Sequence, residues 1–471
     1  MKLCKVLSFV LIGVMLVACC LGVSGLPTTA GQSTENETKP YYLSANSNVD
    51  TIHATTVGAL PCIGQAKILV FYVDFQTGKE EGAKTREQVE ELFFSETAKH
   101  DPTLAYSEQD SVRSYYHRSS YGKVDITGSV YEYQSQKTSY DDAVPLLNEI
   151  IAYYQDIIPW DEYDGNNDGY IDGIYLVRKI AGLQGGDSFV ANYTNTAGNL
   201  KIAKMCFTIT MDLSTICHET CHMFGPADMY ATVSVNPNGI QTACIMENGL
   251  GDLPSATKFV LGWLDHAIFV SASNMGTYQL RSYSHYGDAL IIYPDGDPTN
   301  RNWFFAEYVT SEGNNRYSGT QGGLRVWKTQ MNLDADYNIN GAKEFCGGMP
   351  ASPYAYLEAV HPDNVWNYYL QAGQEITPYT YPSTAYSDTF YNEGGAKMLK
   401  DLTFSGIDIS FTKVADGVAT VDVQIEKSAD LSREANATVT LLSPDRSSLF
   451  LDDKDLICFT KRVLSRVKRL T

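Results

Sequence analysis

His218-Glu219-Thr220-Cys221-His222 sets two imidazoles four residues apart, with a carboxylate beside the first. On an α-helix, positions i and i+4 stand nearly above one another, so both rings reach one point. Glu219 is rotated by about 100° from His218 on such a helix. It can meet a water at that point without being a ligand. Gly225 and Pro226 end the helix: glycine tolerates a left-handed conformation and proline forbids continuation. The chain then turns back and can bring in Asp228 as a third ligand. Two histidines and a carboxylate leave one corner of a tetrahedral Zn²⁺ open to water, the mark of a catalytic zinc site. The chemistry is hydrolysis, with a zinc-acidified water and Glu219 as general base. Glu247 is a second candidate for the third ligand, and the offset of Gly225 favours Asp228.

Other residues bear on the same point. Cys244-Ile245-Met246-Glu247-Asn248-Gly249 offers Met246 as the methionine of a turn lying under the zinc. Tyr230 and His285 are candidates to help stabilise an oxyanion, against the default of a structural aromatic and a surface histidine. Cys217 and Cys221 lie one face over from the histidines and are expected to be small buried hydrophobes rather than ligands. Cys62 could cap the zinc as an inhibitory thiolate; a lone cysteine before a strand is more often without such a role.

A second cation site is suggested by Asp164-Gly165-Asn166-Asn167-Asp168-Gly169-Tyr170-Ile171-Asp172. Asp164, Asn166, Asp168, Tyr170 and Asp172 stand at alternate positions, a spacing of oxygen ligands that suits a structural Ca²⁺. Tyr175 occupies the twelfth position, so the bidentate Glu of an EF-hand is absent. The competing reading is a plain turn, which Asn, Asp and Gly favour anyway.

These residues need elements to hold them. Lys67 to Phe75 reads as a buried strand. Helices are expected over 85–97, 111–119 and 140–155, and strands through Val130, over 173–177 and over 202–209. The last strand runs into the motif helix, which is expected to begin near Ser214. After Trp263 short alternating strands predominate between Gly, Asn, Asp and Pro clusters, as over 277–281, 289–293 and 418–425. The expected fold class is α+β: a mixed sheet plus the motif helix over 64–266, then a β-rich, sandwich-like region over 267–430. Residues 431–471 form a tail, basic at its end through Lys461, Arg462, Arg466, Lys468 and Arg469.

The chain has 471 residues, more than one ordinary core accommodates. Its net charge of −20 excludes nucleic acid as a partner and opposes contact with an anionic membrane surface. Met1 to Lys5 is basic, and 6–18 is apolar but short for a membrane span. Residues 1–25 are therefore expected to be an export signal. Leu16-Val17-Ala18-Cys19 is similar to the lipobox of bacterial lipoproteins, in which Cys19 would carry the lipid and tether the chain to the cell surface. Ordinary cleavage near Gly25 would instead release an extracellular protein. Residues 26–63 read as a tether or short pro-segment. Beyond the leader, Cys62, Cys206, Cys217, Cys221, Cys244, Cys346 and Cys458 fit no zinc ribbon or small disulfide scaffold.

In order along the chain, several of these segments resemble the immune-inhibitor-A-like metallopeptidases of bacteria. The likeness covers roughly 60–330. It includes the 67–75 strand, Ser111-Val112-Arg113-Ser114-Tyr115-Tyr116 leading to Ser120-Tyr121-Gly122-Lys123, the Asp164–Asp172 loop, the zinc motif, Met246 and Lys258-Phe259-Val260-Leu261-Gly262-Trp263. Phe304-Phe305-Ala306-Glu307 and Gly323-Leu324-Arg325-Val326-Trp327 continue it. The resemblance implies a metzincin-like zinc endopeptidase acting on proteins or peptides, with His218, His222 and Asp228 as ligands and Glu219 as base. The reading from a different class is a surface adhesin or carbohydrate-binding lipoprotein on the same scaffold. Retention of Glu219 argues against it, because binding alone needs no base.

Overall fold

The computed structural model describes residues 58–426, except 76–81, 98, 100–109, 138–142, 180–187, 210, 227–243, 247–248, 250, 293–301, 318–321, 331–355, 360–368, 379, 381–383, 385, 392–396 and 404. The leader with Cys19, the tail, and Asp228, Tyr230 and Glu247 lie outside the described residues.

In chain order the first part comprises β1 (Gly64–Asp74), α1 (Arg86–Phe94), α2 (Val112–Ser119), β2 (Val124–Gln134), α3 (Ala143–Tyr154), β3 (Gly173–Arg178), β4 (Phe189–Ala197), β5 (Leu200–Thr208), α4 (Leu213–Phe224) and α5 (Ser255–Val260). Their strands form one sheet in the order β2-β1-β3-β5-β4. It is parallel except for β4, which pairs antiparallel with β5.

The unbroken apolar run of β1 follows from its central place, where both faces of the sheet are covered. Side chains alternate along a strand. Ile68, Val70 and Tyr72 therefore pack with α1, α2 and α4, whereas Leu69, Phe71 and Val73 pack with α3. Helix α1 starts on a capping box in which Thr85 and Gln88 each accept the other's amide. Helix α2 starts on Ser111, whose hydroxyl accepts from the Ser114 amide at 3.0 Å.

The second part contains β6 (Ala267–Val270), β7 (Gly276–Leu280), α6 (Tyr283–Tyr286), β8 (Ala289–Ile292), β9 (Asn302–Val309), β10 (Gly323–Gln330), β11 (Tyr356–Ala359), β12 (Gln374–Ile376), β13 (Tyr386–Tyr391), β14 (Lys397–Thr403), β15 (Ile407–Ala415) and β16 (Val418–Ile425). One sheet runs β11-β10-β9-β8-β6 and another β12-β15-β16-β7, while β13 and β14 pair alone. The two larger sheets bury Leu290, Phe304, Ala306 and Leu324 against Ile409, Val421 and Val423. The other face of the first of these sheets presents Ile291, Trp303, Phe305 and Trp327 to the core that contains α4. One sheet thus serves two cores, and packing is continuous across residue 266. The chain is a mixture of α and β elements, as its patterning predicts.

Part of the stretch read as a tether is built into this core. Ala59, Leu60 and Cys62 are buried, the Leu60 amide donates to the Met223 carbonyl at 2.9 Å, and the Trp263 indole donates to the Cys62 carbonyl at 2.8 Å.

Candidate metal centre

Helix α4 carries the motif. Asp212 caps its start, accepting from the Thr215 amide at 3.0 Å. Leu213, Ile216, Cys217, Thr220, Cys221, Met223 and Phe224 are buried and fix the helix against the sheet. Two tyrosines brace it from below: Tyr175 of β3 donates to the Ile216 carbonyl at 3.1 Å, and Tyr116 of α2 donates to the Cys217 carbonyl. Gly173 begins β3 where Met223 passes close by; a Cβ there would stand 2.6 Å from the methionine methyl.

The last carbonyls of a helix need partners from outside it. Gly225, at φ 128°, donates to the carbonyls of Cys221 and His222, both at 3.1 Å. Leu60 takes the carbonyl of Met223, and the Lys204 ammonium approaches that of His222 at 3.4 Å. A cation here also complements the negative end of the helix dipole. The helix end is therefore held before any ligand arrives.

His218 and His222 meet as the spacing predicts. Their rings lie 4.8 Å apart and nearly perpendicular, at 85°. His218 Nδ1 is 2.9 Å from the Ile245 carbonyl oxygen, and His222 Nδ1 is 2.8 Å from that of Pro226. A carbonyl only accepts, so both Nδ1 atoms carry hydrogen and donate. In the neutral rings the Nε2 atoms then present lone pairs, and these face each other at 3.1 Å. Lone pairs so placed repel unless a proton or a cation stands between them.

A tetrahedral zinc with Zn–N bonds of about 2.0–2.1 Å would set two nitrogens about 3.3 Å apart. The pair fits that group, and the backbone carbonyls on Nδ1 are the outer partners metal-binding imidazoles normally have. Glu219 is buried, at 5 % exposure, on the side of α4 whose charge is felt by Cys206 of β5 and Tyr175 of β3.

Met246 is fully buried in a turn whose preceding residue, Ile245, supplies the acceptor for His218. That turn thus lies against the first histidine. Among the described residues no group of three His, Cys, Asp or Glu side chains converges as a metal site; both candidate third ligands lie outside those residues. His285 sits on an exposed turn, 3.9 Å from Glu312 and beside Tyr286. Cys217 and Cys221 are wholly buried in the core of the first part, as small hydrophobes. Cys62 is buried there too, and burial pushes its thiol well up, which keeps it protonated.

The Asp164–Asp172 loop folds on itself. Asp164 accepts from the amides of Asp168 and Gly169 at 3.0 and 2.9 Å, and Asp168 accepts from that of Tyr170 at 2.9 Å. Asn167 takes φ 60° and Gly169 φ 86° to make this possible. Asp172 is buried and accepts from the amides of Lys67 and Gly165 at 2.7 and 3.1 Å. Burial first, then the charges of Asp164 and Asp168, outweigh those two bonds and push its carboxyl up to about 8. The loop is sewn to β5 through the bridge between Tyr170 and Lys201.

The Ile245 and Pro226 carbonyls, and Leu60, Tyr116 and Tyr175 as supports of the motif helix, are not legible in the sequence. Only Ile245 carried a signal, by its place next to Met246. No family model matches the chain, and no curated protein is significantly similar to it.

Proposed function

We propose that this chain is an exported zinc endopeptidase hydrolysing peptide bonds in proteins, with a zincin, metzincin-like catalytic unit of the immune-inhibitor-A-like kind. The observation that carries the reading is the histidine pair. Both Nδ1 atoms are spent on carbonyls, and both Nε2 lone pairs face one point at a separation that suits zinc. His218 and His222 would hold the metal, and Asp228 is assigned as third ligand from its offset behind Gly225. Bound zinc supplies a Lewis acid that makes water nucleophilic at neutral pH and polarises the scissile carbonyl.

Glu219 is the group that moves protons. Its carboxylate accepts one from the attacking water and returns it to the nitrogen of the leaving amine. Burial of that carboxylate keeps bulk water from competing for the proton. Met246 is assigned as the methionine of the turn whose Ile245 carbonyl accepts from His218. The Asp164–Asp172 loop is assigned a structural Ca²⁺. Net charge of −20 leaves nucleic acid out of the partner set. Among the described residues no helix is long and apolar enough to cross a membrane, and the proposed anchor, where there is one, is a lipid on Cys19.

The test compares wild type with Glu219→Ala on denatured casein and a peptide library, with zinc content measured in both. Wild type should hold one zinc and cleave; the variant should hold zinc and not cleave. A zinc-loaded wild type with no peptidase activity would overturn the reading in favour of a binding protein on this scaffold.

A further inference from the structure

The acceptor that orients His218 belongs to a segment whose downstream end is held from the β-rich part of the chain. Ile245 supplies the carbonyl. Six residues on, Gly251 to Leu253 is fastened at each residue in turn. The Gly251 carbonyl accepts from the Tyr115 hydroxyl of α2 at 2.9 Å. The Asp252 amide donates to the Asn315 side-chain oxygen at 2.9 Å. The Leu253 carbonyl accepts from the Tyr283 hydroxyl at 2.7 Å. The Asp252 carboxylate is closed by Ser119, by Lys258 at 2.7 Å and by the backbone amide of Leu253 at 3.0 Å.

Asn315 lies in a short 3₁₀ turn, Gly313–Tyr317, between β9 and β10, and is 1 % exposed. Its amide nitrogen donates to the Ser284 hydroxyl at 2.9 Å, which fixes the side chain with its oxygen toward Asp252. Neighbouring Asn314 donates to the Tyr115 carbonyl at 3.0 Å and accepts from Arg118 at 2.9 Å. One turn of the β-rich part therefore grips both α2 and the chain that follows Met246. A buried amide left without its acceptor costs enough to displace the backbone that carries it. Ile245, Met246 and Leu253 share one buried core, the route by which a displacement here would reach the Ile245 carbonyl and the ring plane of His218.

We infer that Asn315 and Tyr115 are positioning residues for the metal site: through residues 251–253 they set the Ile245 carbonyl that orients His218, so the β-rich part completes the active site. The inference rests on the zinc peptidase reading. It treats the region past residue 266 as a wall of the site, not an appended module.

The test uses the full chain and measures zinc affinity by chelator competition, the visible bands of the Co²⁺-substituted protein, and thermal melting. Asn315→Ala is expected to weaken zinc binding about tenfold, in the range found for outer partners of metal ligands, and to shift the cobalt bands. Tyr115→Phe, which removes one hydroxyl and keeps the ring, should do the same to a smaller extent and serves where Asn315→Ala does not fold. Val421→Ala, in the sandwich core far from this segment, should lower the melting temperature while leaving zinc affinity and cobalt bands as in wild type. Folded Asn315→Ala or Tyr115→Phe with wild-type affinity and bands would overturn the inference alone. Equal loss of affinity in Val421→Ala would do so too. A wild type that takes up no zinc would sink the peptidase reading, and the inference with it.

Discussion

In the motif helix each imidazole spends its one hydrogen on a backbone carbonyl, and what remains is a pair of lone pairs aimed at each other across 3.1 Å. In the Asp164–Asp172 loop the side-chain oxygens instead accept amide hydrogens from their own turn and from Lys67. The first arrangement sets two lone pairs in repulsion unless a proton or a cation stands between them. The second is nearly complete, with the charge of Asp172 as its main unrelieved cost. Both have the donors of a cation site. The difference teaches that ligand spacing alone does not rank two such sites; the partners on the far side of each donor do. A donor pinned from behind by a carbonyl is committed to a cation, while an oxygen already holding an amide can do without one.

Removing a histidine should therefore produce the largest effect. His222→Ala is expected to lose stoichiometric zinc, measured by metal analysis after gel filtration, and with it all peptidase activity. The fold should persist, since the helix is closed by Gly225, Leu60 and Asp212 without the ring. Retention of one zinc by a His218→Ala/His222→Ala double variant would break the comparison, because the metal would then lie elsewhere. Glu219→Gln comes next: zinc retained, kcat lowered about 10²–10⁴-fold as for loss of a general base, and KM little changed. A variant that also loses its zinc would make Glu219 a ligand rather than a base.

A third pair of variants sharpens the metal side. Asp228→Ala should abolish tight zinc binding, and Glu247→Ala should leave it within a small factor of wild type. The opposite order would move the third ligand to Glu247 and place the chain among zinc peptidases with a downstream glutamate.

The parts of this molecule that were legible in its sequence are those where local pattern and tertiary role coincide. β1 reads as a buried strand because both of its faces meet core. The motif helix starts one residue before Ser214, on an Asp cap, and ends at a glycine whose positive φ the sequence announces. β4 is not legible in the sequence: Phe189–Ala197 is rich in Asn and Thr, and it lies at the sheet edge, where only one side needs a partner. The carbonyls that pin the histidines leave no trace in residue types, because every residue has one. Tyr115 and Gly251 lie 136 positions apart, and Asn315 and Asp252 lie 63 apart. Only the folded chain brings them together.

The smallest expected effect tests the other side of the comparison. In chelator, the Asp172 carboxyl is held near 8, against about 3.9 for an exposed aspartate. Between those two values the folded chain keeps a proton that the unfolded chain has released. Its contribution to stability is therefore full below about pH 4 and is lost as pH rises toward about 8. Calcium would replace that proton, so added Ca²⁺ should raise the melting temperature by a few degrees at pH 8 and by less at pH 5, where the proton competes. Asp172→Asn should flatten the pH slope in chelator and abolish the calcium response, read by calorimetry across that range. If wild type shows no calcium response at any pH, the loop is a self-satisfied turn, and the pinned histidines are the one proposed cation site left.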